Sequence, residues 1–398
     1  MFVKRLFLFL ALLPLASMLS CGGGGSGGNT AAAYSVGGTV SALSGTLVLE
    51  NSGGDLTVIQ NGQFTFATKL ANSTDYSVTV KTQPSGQTCT IQNGSGKVNG
   101  ANVTNVSVTC NGQMGGAIQG NNLALANAVT TIAGRAGTAG HADGTGTAAT
   151  FNNPWGITTD GTNLYIADSG SDTIRKMVIS TGAVTTIAGQ ADTAGHADGT
   201  GTAATFNNPE GITTDGANLY IADFDNSTIR KMVISTGAVT TIAGTAGTLG
   251  HADGTGTAAT FYLPRGITTD GTNLYIADTG NNTIRKLVIS TGVVTTIAGT
   301  AGPLGSADGT GTAATFNNPW GITTDGTNLY IADTGNNTIR KLVVSTGVVT
   351  TIAGKVGVQG STDGTGTAAT FYTPAGMTTD GASLFVGDTG NDTIRQIK

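Results

Sequence analysis

The sequence predicts an all-β protein built largely from one repeated unit of four strands. The string "TTIAG" first begins at Thr130 and returns every 55 residues, at Thr185, Thr240, Thr295 and Thr350. The first copy holds four short segments rich in β-branched residues, separated by tight turns, at 156–160, 163–168, 173–179 and 183–188. Helix-like periodicity is confined to the first twenty residues. Four antiparallel strands per repeat are typical of a β-propeller blade, so residues 113–398 are predicted to form a propeller.

The two ends of the repeat array indicate how the ring closes. The fifth copy stops at Lys398, before its outermost strand, whereas a lone strand-like segment, Ala124–Gly134, precedes the first copy. We expect this segment to complete the last blade and to cover its open sheet edge. The count is then five blades, with six as the alternative.

Residues 33–112 are predicted to form a separate small β-sandwich. About seven bursts of alternating apolar and polar residues are separated by turns such as Asn61-Gly62 and Asn93-Gly94. The sandwich contains Cys89 and Cys110, which we expect to form a disulfide. A bridge closing a loop of about twenty residues stabilises a fold by ~3 kcal/mol. We interpret the sandwich as a spacer, with an adhesion module as the alternative.

The start of the chain predicts export. Residues 1–20 combine Lys4 and Arg5 with an apolar run that ends in small residues, as a secretory signal peptide does. Cys21 follows directly and begins a Gly/Ser-rich linker, 21–32, an arrangement that resembles a bacterial lipoprotein. The resemblance implies lipidation of Cys21 and anchoring to a bacterial membrane, at the outer membrane or the cell surface. A free thiol at Cys21 is the alternative.

Two stretches resemble known families. "PWGITTDGTNLYIADSGSDTIRKM", which begins at Pro154, resembles the NHL repeat, with its Pro-x-Gly-Ile, Asn-Leu-Tyr-Ile-Ala-Asp and Thr-Ile-Arg-Lys elements. That resemblance covers 121–398 and implies an NHL-type propeller. "NGQFTFATKLANSTDYSVTV", which begins at Asn61, is similar to the immunoglobulin-like or prealbumin-like modules of bacterial surface proteins.

Three kinds of side chain recur in every copy. An aspartate ends the second strand and an arginine follows seven residues later, at Asp168/Arg175, Asp223/Arg230, Asp278/Arg285, Asp333/Arg340 and Asp388/Arg395. Because one active site cannot need five such pairs, we interpret them as structural clasps within the blades. A phenylalanine is expected to pack between neighbouring blades, at Phe151, Phe206, Phe261, Phe316 and Phe371.

Metal sites are weakly indicated. Each "DGTGT" segment begins with an aspartate, at Asp143, Asp198, Asp253, Asp308 and Asp363. One carboxylate per loop is too few for calcium, so turn capping by the aspartate is the preferred interpretation. His141, His196 and His251 occupy one repeat position. Some lyases with a related propeller hold a metal through histidines, but equivalent positions in a ring do not converge on one zinc ion. No cofactor is therefore expected.

Composition and the absence of certain motifs argue against several classes of function. Charged residues make up 10% of the chain and the net charge is −5, which argues against nucleic acid as a partner. The sequence lacks a nucleophile elbow or a phosphate-binding loop. The preferred hypothesis is a lipid-anchored binding protein whose propeller presents one face to a protein, peptide or glycan. The alternatives are a lyase or lactonase with a bound metal, and a structural scaffold.

One variable position suggests where a ligand binds. The residue between the Pro and the Gly of each innermost strand is Trp155, Glu210, Arg265, Trp320 or Ala375, in sequence order. Both tryptophans of the chain fall at this position, which is expected to surround one mouth of the central channel. Apolar walls with a few polar groups are typical of a binding pocket. We therefore predict that these five residues form the ligand site.

Overall fold

The computed structural model describes residues 32–112, apart from 42, 44, 52–53 and 85–86, and residues 130–398. The predicted signal peptide, Cys21 with its linker, and most of the expected closing strand lie outside the described residues. Within the described ranges the protein is all-β, and its helices are three-residue 3-10 turns. None of these turns could cross a membrane.

The N-terminal sandwich consists of eleven short strands within the described residues. They are β1 (Ala33–Tyr34), β2 (Val36–Ser41), β3 (Leu47–Asn51), β4 (Gly54–Val58), β5 (Gly62–Thr65), β6 (Leu70–Ala71), β7 (Asp75–Ser77), β8 (Thr79–Thr82), β9 (Gln87–Gln92), β10 (Ser95–Lys97) and β11 (Val103–Gly112). A four-stranded sheet, β5-β2-β11-β9, and a three-stranded sheet, β4-β3-β8, contribute to one apolar core. Leu47 and Leu49 of the smaller sheet are fully buried against Val36 and Val108 of the larger one.

The predicted disulfide between Cys89 and Cys110 is confirmed. The two residues are directly opposite each other in the antiparallel pair of β9 and β11. The bridge therefore joins two neighbouring strands of the larger sheet inside the sandwich core, where both cysteines are buried.

Five similar sheets follow, one for each repeat. Blade 1 contains β12 (Gly144–Thr145), β13 (Pro154–Thr159), β14 (Asn163–Asp168), β15 (Thr173–Val178) and β16 (Ala183–Ala188); blade 2 contains β17 (Gly199–Thr200), β18 (Pro209–Thr214), β19 (Asn218–Asp223), β20 (Thr228–Val233) and β21 (Ala238–Ala243). Blade 3 contains β22 (Gly254–Thr255), β23 (Pro264–Thr269), β24 (Asn273–Asp278), β25 (Thr283–Val288) and β26 (Val293–Ala298); blade 4 contains β27 (Gly309–Thr310), β28 (Pro319–Thr324), β29 (Asn328–Asp333), β30 (Thr338–Val343) and β31 (Val348–Ala353). Blade 5 contains β32 (Pro374–Thr379), β33 (Leu384–Asp388) and β34 (Thr393–Ile397).

Short 3-10 turns punctuate the blades at Gly146–Ala148, Ser169–Ser171, Gly201–Ala203, Gly256–Ala258, Thr279–Asn281, Gly311–Ala313, Thr334–Asn336, Gly366–Ala368 and Thr389–Asn391. Each full blade is an antiparallel meander whose innermost strand begins at the Pro-x-Gly motif, and a two-residue strand borders its outer edge. The tight turn between the first two strands is held by an aspartate: the Asp160 carboxylate accepts the amide protons of Thr162 and Asn163.

Neighbouring blades pack through apolar faces that the repeat supplies. Between blades 1 and 2, Tyr165 and Ile174 of one sheet contact Ile212 and Leu219 of the next. Phe206, fully buried, belongs to the same cluster, as predicted for the phenylalanine position. The same arrangement recurs between blades 2 and 3, 3 and 4, and 4 and 5.

The Gly of each Pro-x-Gly motif permits this close packing. A Cβ atom built on Gly156 would overlap the carbonyl oxygen of Glu210 in the next blade, and the same holds from Gly211, Gly266 and Gly321 to the blade that follows each. The fifth of these glycines, Gly376, has nothing within 4 Å of such a Cβ. Among the described residues, the inner strand of blade 5 therefore packs on that of blade 4 but has no following blade against its other side.

Within the part of the chain that the structure describes, blades 5 and 1 do not pack on each other as the other neighbouring blades do. Ile157 on the inner strand of blade 1 is 60% exposed, whereas its counterparts Ile212, Ile267 and Ile322 are each 6% exposed. Ile394 in blade 5 is 77% exposed, whereas Ile174 and the other residues at that position are fully buried. We call this region the seam and define it by Ile157, Leu164, Phe385 and Ile394.

The expected closing strand is described only in its last residues. Thr130–Gly134 contains no strand, and blade 5 has three strands among the described residues. The Gly134 amide instead donates to the Gly146 carbonyl oxygen at the edge of blade 1, as Gly189 does to Gly201 one blade later. Pairing of 124–134 with the edge of blade 5 therefore stays a prediction.

The seam can be tested with two identical substitutions at one repeat position. Ile212→Ala should lower the free energy of unfolding by about 2–5 kcal/mol, because it creates a cavity between two packed blades. Ile157→Ala should change it by less than about 0.5 kcal/mol, because this side chain is already exposed. Denaturant unfolding followed by tryptophan fluorescence measures both. Equal losses in the two variants would mean that blade 5 packs on blade 1 in solution.

Candidate ligand-binding site at the channel mouth

The predicted Asp–Arg clasps are present in every blade. In blade 3, Arg285 is fully buried, and its Nη1 donates to the Asp278 carboxylate at 2.8 Å and to the Thr260 carbonyl oxygen at 2.9 Å. Its guanidinium also stacks over the Phe261 ring, 5.1 Å from the centroid. The same contacts recur at each of the other Asp/Arg pairs. These pairs are internal to the sheets and do not border the channel.

The prediction that the "DGTGT" aspartates cap their own turns is wrong, because their carboxylates bind other parts of the blade. The Asp143 carboxylate accepts from Nη2 of Arg175 at 2.9 Å and from the amide and hydroxyl of Thr186. The side chain thus reaches the clasp arginine and the outer strand of its blade rather than its own turn. Asp198, Asp253, Asp308 and Asp363 bind the equivalent arginines.

The three histidines are not brought together. Nδ1 of His141 lies 3.4 Å from an Asp192 carboxylate oxygen, in an exposed pair on the loops. Among the described residues, no group of three or more His, Cys, Asp or Glu side chains is placed to hold a metal ion.

The five variable residues of the Pro-x-Gly motif border one cavity of about 640 Å³. In each blade the residue before the proline adopts a left-handed backbone conformation, which directs the chain into the innermost strand. In blade 2 the amide of that residue, Asn208, is held by the Asp172 carboxylate of blade 1. The cavity continues along the inner strands past a ring of threonines and reaches the seam at Ile157, Phe385 and Ile394.

An aromatic and charged cluster occupies the mouth of this cavity. The Arg265 guanidinium lies 4.3 Å from the ring centroid of Trp320, 5.3 Å from that of Trp155 and 4.4 Å from that of Phe224. The two tryptophans meet edge to face, with centroids 5.9 Å apart. Trp155 is 45% exposed, so one indole remains open to a ligand. Ala375, the fifth member of the ring, is buried on the cavity wall.

Sequence reasoning missed Phe224, which follows the second strand of blade 2. The equivalent residues Ser169, Thr279 and Thr334 donate their hydroxyl to the carbonyl oxygen of the proline in the next blade. Phe224 has a ring in place of that hydroxyl. The ring contacts Arg265, the residue directly after the proline of the next blade. The signal was available, since Phe224 is the one aromatic residue at this repeat position.

Glu210 is the acidic member of the cluster. It is 5% exposed, and its Oε2 lies 3.2 Å from Nη1 of Arg265 without hydrogen-bond geometry, so both atoms are buried without a hydrogen-bond partner in the described chain. Burial raises the pKa of Glu210 to about 7, and the charge of Arg265 opposes this shift only in part. Burial also lowers the pKa of Arg265.

Comparison with known proteins supports the repeat assignment. The model of the NHL repeat matches residues 316–342. The chain is 30% identical over 282 residues to the Arabidopsis thaliana protein SUPPRESSOR OF QUENCHING 1, chloroplastic, covering 66% of this chain and 26% of that protein. It is 33% identical over 169 residues to human NHL repeat-containing protein 2, covering 40% of this chain and 22% of that protein. The chain thus spans about a quarter of the length of these relatives.

Solved structures resemble the chain more distantly. An auxiliary nutrient binding protein from Bacteroides ovatus superposes with a TM-score of 0.42 at 17% identity, covering 89% of this chain and 90% of that one. The repeat match, the NHL-repeat homologues and the repeated antiparallel sheets together identify the C-terminal part as an NHL-type β-propeller of several blades.

The buried carboxyl predicts a pH-dependent stability. Because the pKa of Glu210 is about 7 in the folded protein and near 4.5 when the chain unfolds, stability should fall as pH rises from 4.5 to 8. A pKa difference of one unit corresponds to about 1.4 kcal/mol, so the loss should approach about 3 kcal/mol. Glu210→Gln should make this slope shallower in urea unfolding curves recorded at several pH values, above all between pH 6 and 8. Below pH 6 the buried Asp223 and Asp278, whose pKa values burial raises to about 6, should keep part of the slope.

The matched control for this experiment is Glu50→Gln, since Glu50 is the other glutamate of the chain and is exposed on β3. That variant should keep the parent slope. A Glu210→Gln variant with the same slope as the parent would contradict the assignment.

Proposed function

We propose that this protein is a lipid-anchored, extracytoplasmic binding protein whose propeller binds a protein, peptide or glycan ligand at the channel mouth. The signal peptide and Cys21 expected from the sequence would place the chain outside the cytoplasm and attach it to a membrane. The sandwich would then separate the propeller from the membrane surface.

The observation that carries this proposal is the composition of the cavity mouth. Four variable residues from four blades, Trp155, Glu210, Arg265 and Trp320, converge there, although the strands that hold them are nearly identical in sequence. Aromatic faces with a few oriented polar groups are the usual features of a ligand pocket. Tryptophan supplies a large apolar surface for sugars, apolar side chains or cationic groups.

A ligand screen tests the site. Glycan and peptide arrays, followed by calorimetry on each positive, should yield a ligand that the parent binds and that Trp155→Ala/Trp320→Ala binds at least tenfold more weakly. Tyr262→Ala is the matched control, because Tyr262 is an exposed aromatic residue of the propeller that does not border the cavity. A ligand that binds the double variant as tightly as the parent would place the site elsewhere.

The anchor is tested separately. In bacterial cells grown with an alkyne-labelled fatty acid, the parent should incorporate the label and sediment with membranes. Cys21→Ser should lose both properties, because the thiol that would carry the lipid is removed. An exported Cys21→Ser protein that still sediments and still carries the label would exclude lipidation at this residue.

A further inference from the structure

Arg265, whose side chain is 20% exposed, differs from the clasp arginines of the propeller. Each clasp arginine, such as Arg285, donates to two carboxylates and two carbonyl oxygens within its blade. In contrast, Nη1 of Arg265 is buried without a hydrogen-bond partner in the described chain, as is Oε2 of Glu210. Leaving buried polar groups unpaired is costly. The Arg265 side chain is partly exposed and both side chains border the cavity, so a rotation of the pair toward the cavity would let a ligand supply the missing partners and gain affinity.

The residues around Glu210 and Arg265 indicate the charge and polarity of a ligand that would fit the cavity. Arg265 is the one cation and Glu210 the one carboxyl among the described residues that border the cavity. The other lining residues are aromatic, aliphatic, methionine, threonine or glycine. Asp225, exposed beside Phe224, is the further acidic group that acts on both charges. The apolar part of the cavity runs from Trp155 into the seam.

We propose that the ligand carries a carboxylate next to an apolar body. This inference rests on the proposed function and specifies what the same cavity recognises. The carboxylate would accept hydrogen bonds from the Arg265 guanidinium and from the protonated carboxyl of Glu210. The apolar body would lie against the indoles and extend toward Ile157 and Ile394.

The protonation of Glu210 gives this proposal a distinctive signature. Burial raises the pKa of Glu210 to about 7, so near pH 6 its carboxyl is largely neutral and can donate. Above pH 7 it ionises, competes for Arg265 and repels a second carboxylate. Binding should therefore take up a proton above pH 7, and the affinity should fall by up to about tenfold per pH unit between pH 7 and 9.

The test compares acids with their neutral amides by calorimetry on the full chain. The probes are phenylacetate with phenylacetamide, and the peptide acetyl-Leu-Val-Phe with a free carboxylate and with a terminal amide. We expect each acid to bind at least tenfold more tightly than its amide at pH 6. If the peptide acid binds more tightly than phenylacetate, the carboxylate comes from a peptide C-terminus; the reverse order indicates a free acid.

Three variants test whether the preference for acids over amides depends on Arg265 and Glu210. Arg265→Gln should abolish the preference for acids, Arg265→Lys should restore part of it, and Glu210→Gln should bind acids at pH 6 but lose the dependence on pH. Thermal unfolding of each variant shows whether it is folded. The inference is overturned if acids and amides bind alike, if no probe binds, or if folded Arg265→Gln keeps the preference. A neutral ligand that requires Trp155 and Trp320 would overturn it while leaving the proposed function intact.

Discussion

The propeller depends on the ion pairs of the clasp arginine in each blade, which is fully buried in blades 1 to 4. In blade 3, Arg285 joins the end of the second strand at Asp278 and the incoming loop at Asp253, while its guanidinium covers the face of Phe261. One side chain thus fixes the strand, the loop and the aromatic residue that packs on the preceding blade. A buried ion pair is weak evidence of stability in itself, but removing one partner ordinarily costs about 3–5 kcal/mol. Every copy of the repeat accordingly keeps all of these groups.

Because the clasps fix the blades from within, the first residue after each inner-strand proline is free to vary. A side chain there projects toward the channel rather than into a sheet, and its variation leaves the contacts between blades in place. The cluster combines four such positions, Arg265 included, with Phe224, which belongs to a different loop. Phe224 gives up the hydroxyl bond that its counterparts make to the next proline and contacts Arg265 instead. The site thus depends on two residues that differ from their counterparts in the other blades and contact each other, Arg265 and Phe224.

Much of this architecture follows from the sequence, and the remainder has identifiable physical causes. The predicted segments 163–168 and 183–188 match the observed strands, because alternation and turn residues fix them locally. The partner of Asp143 could not be predicted, since it lies 32 residues away along the chain at Arg175. The seam could not be predicted either. A repeat length determines the fold of one blade but not the angle between blades, and Ile157 is identical in sequence to the buried Ile212.

Burying Glu210 and Arg265 costs free energy, and this cost bears on the function of the cavity. Folding places both groups in an apolar cavity mouth, where neither completes its hydrogen bonds with the described chain and burial opposes both charges. The same position accepts alanine in blade 5 and tryptophan in blades 1 and 4, so the fold does not require a charged residue there. Perturbed titratable groups in a cleft are characteristic of sites that act on a ligand. The pair, whose arginine lies against two indoles, is therefore not a requirement of the propeller fold, and the proposed ligand would supply the reason for it.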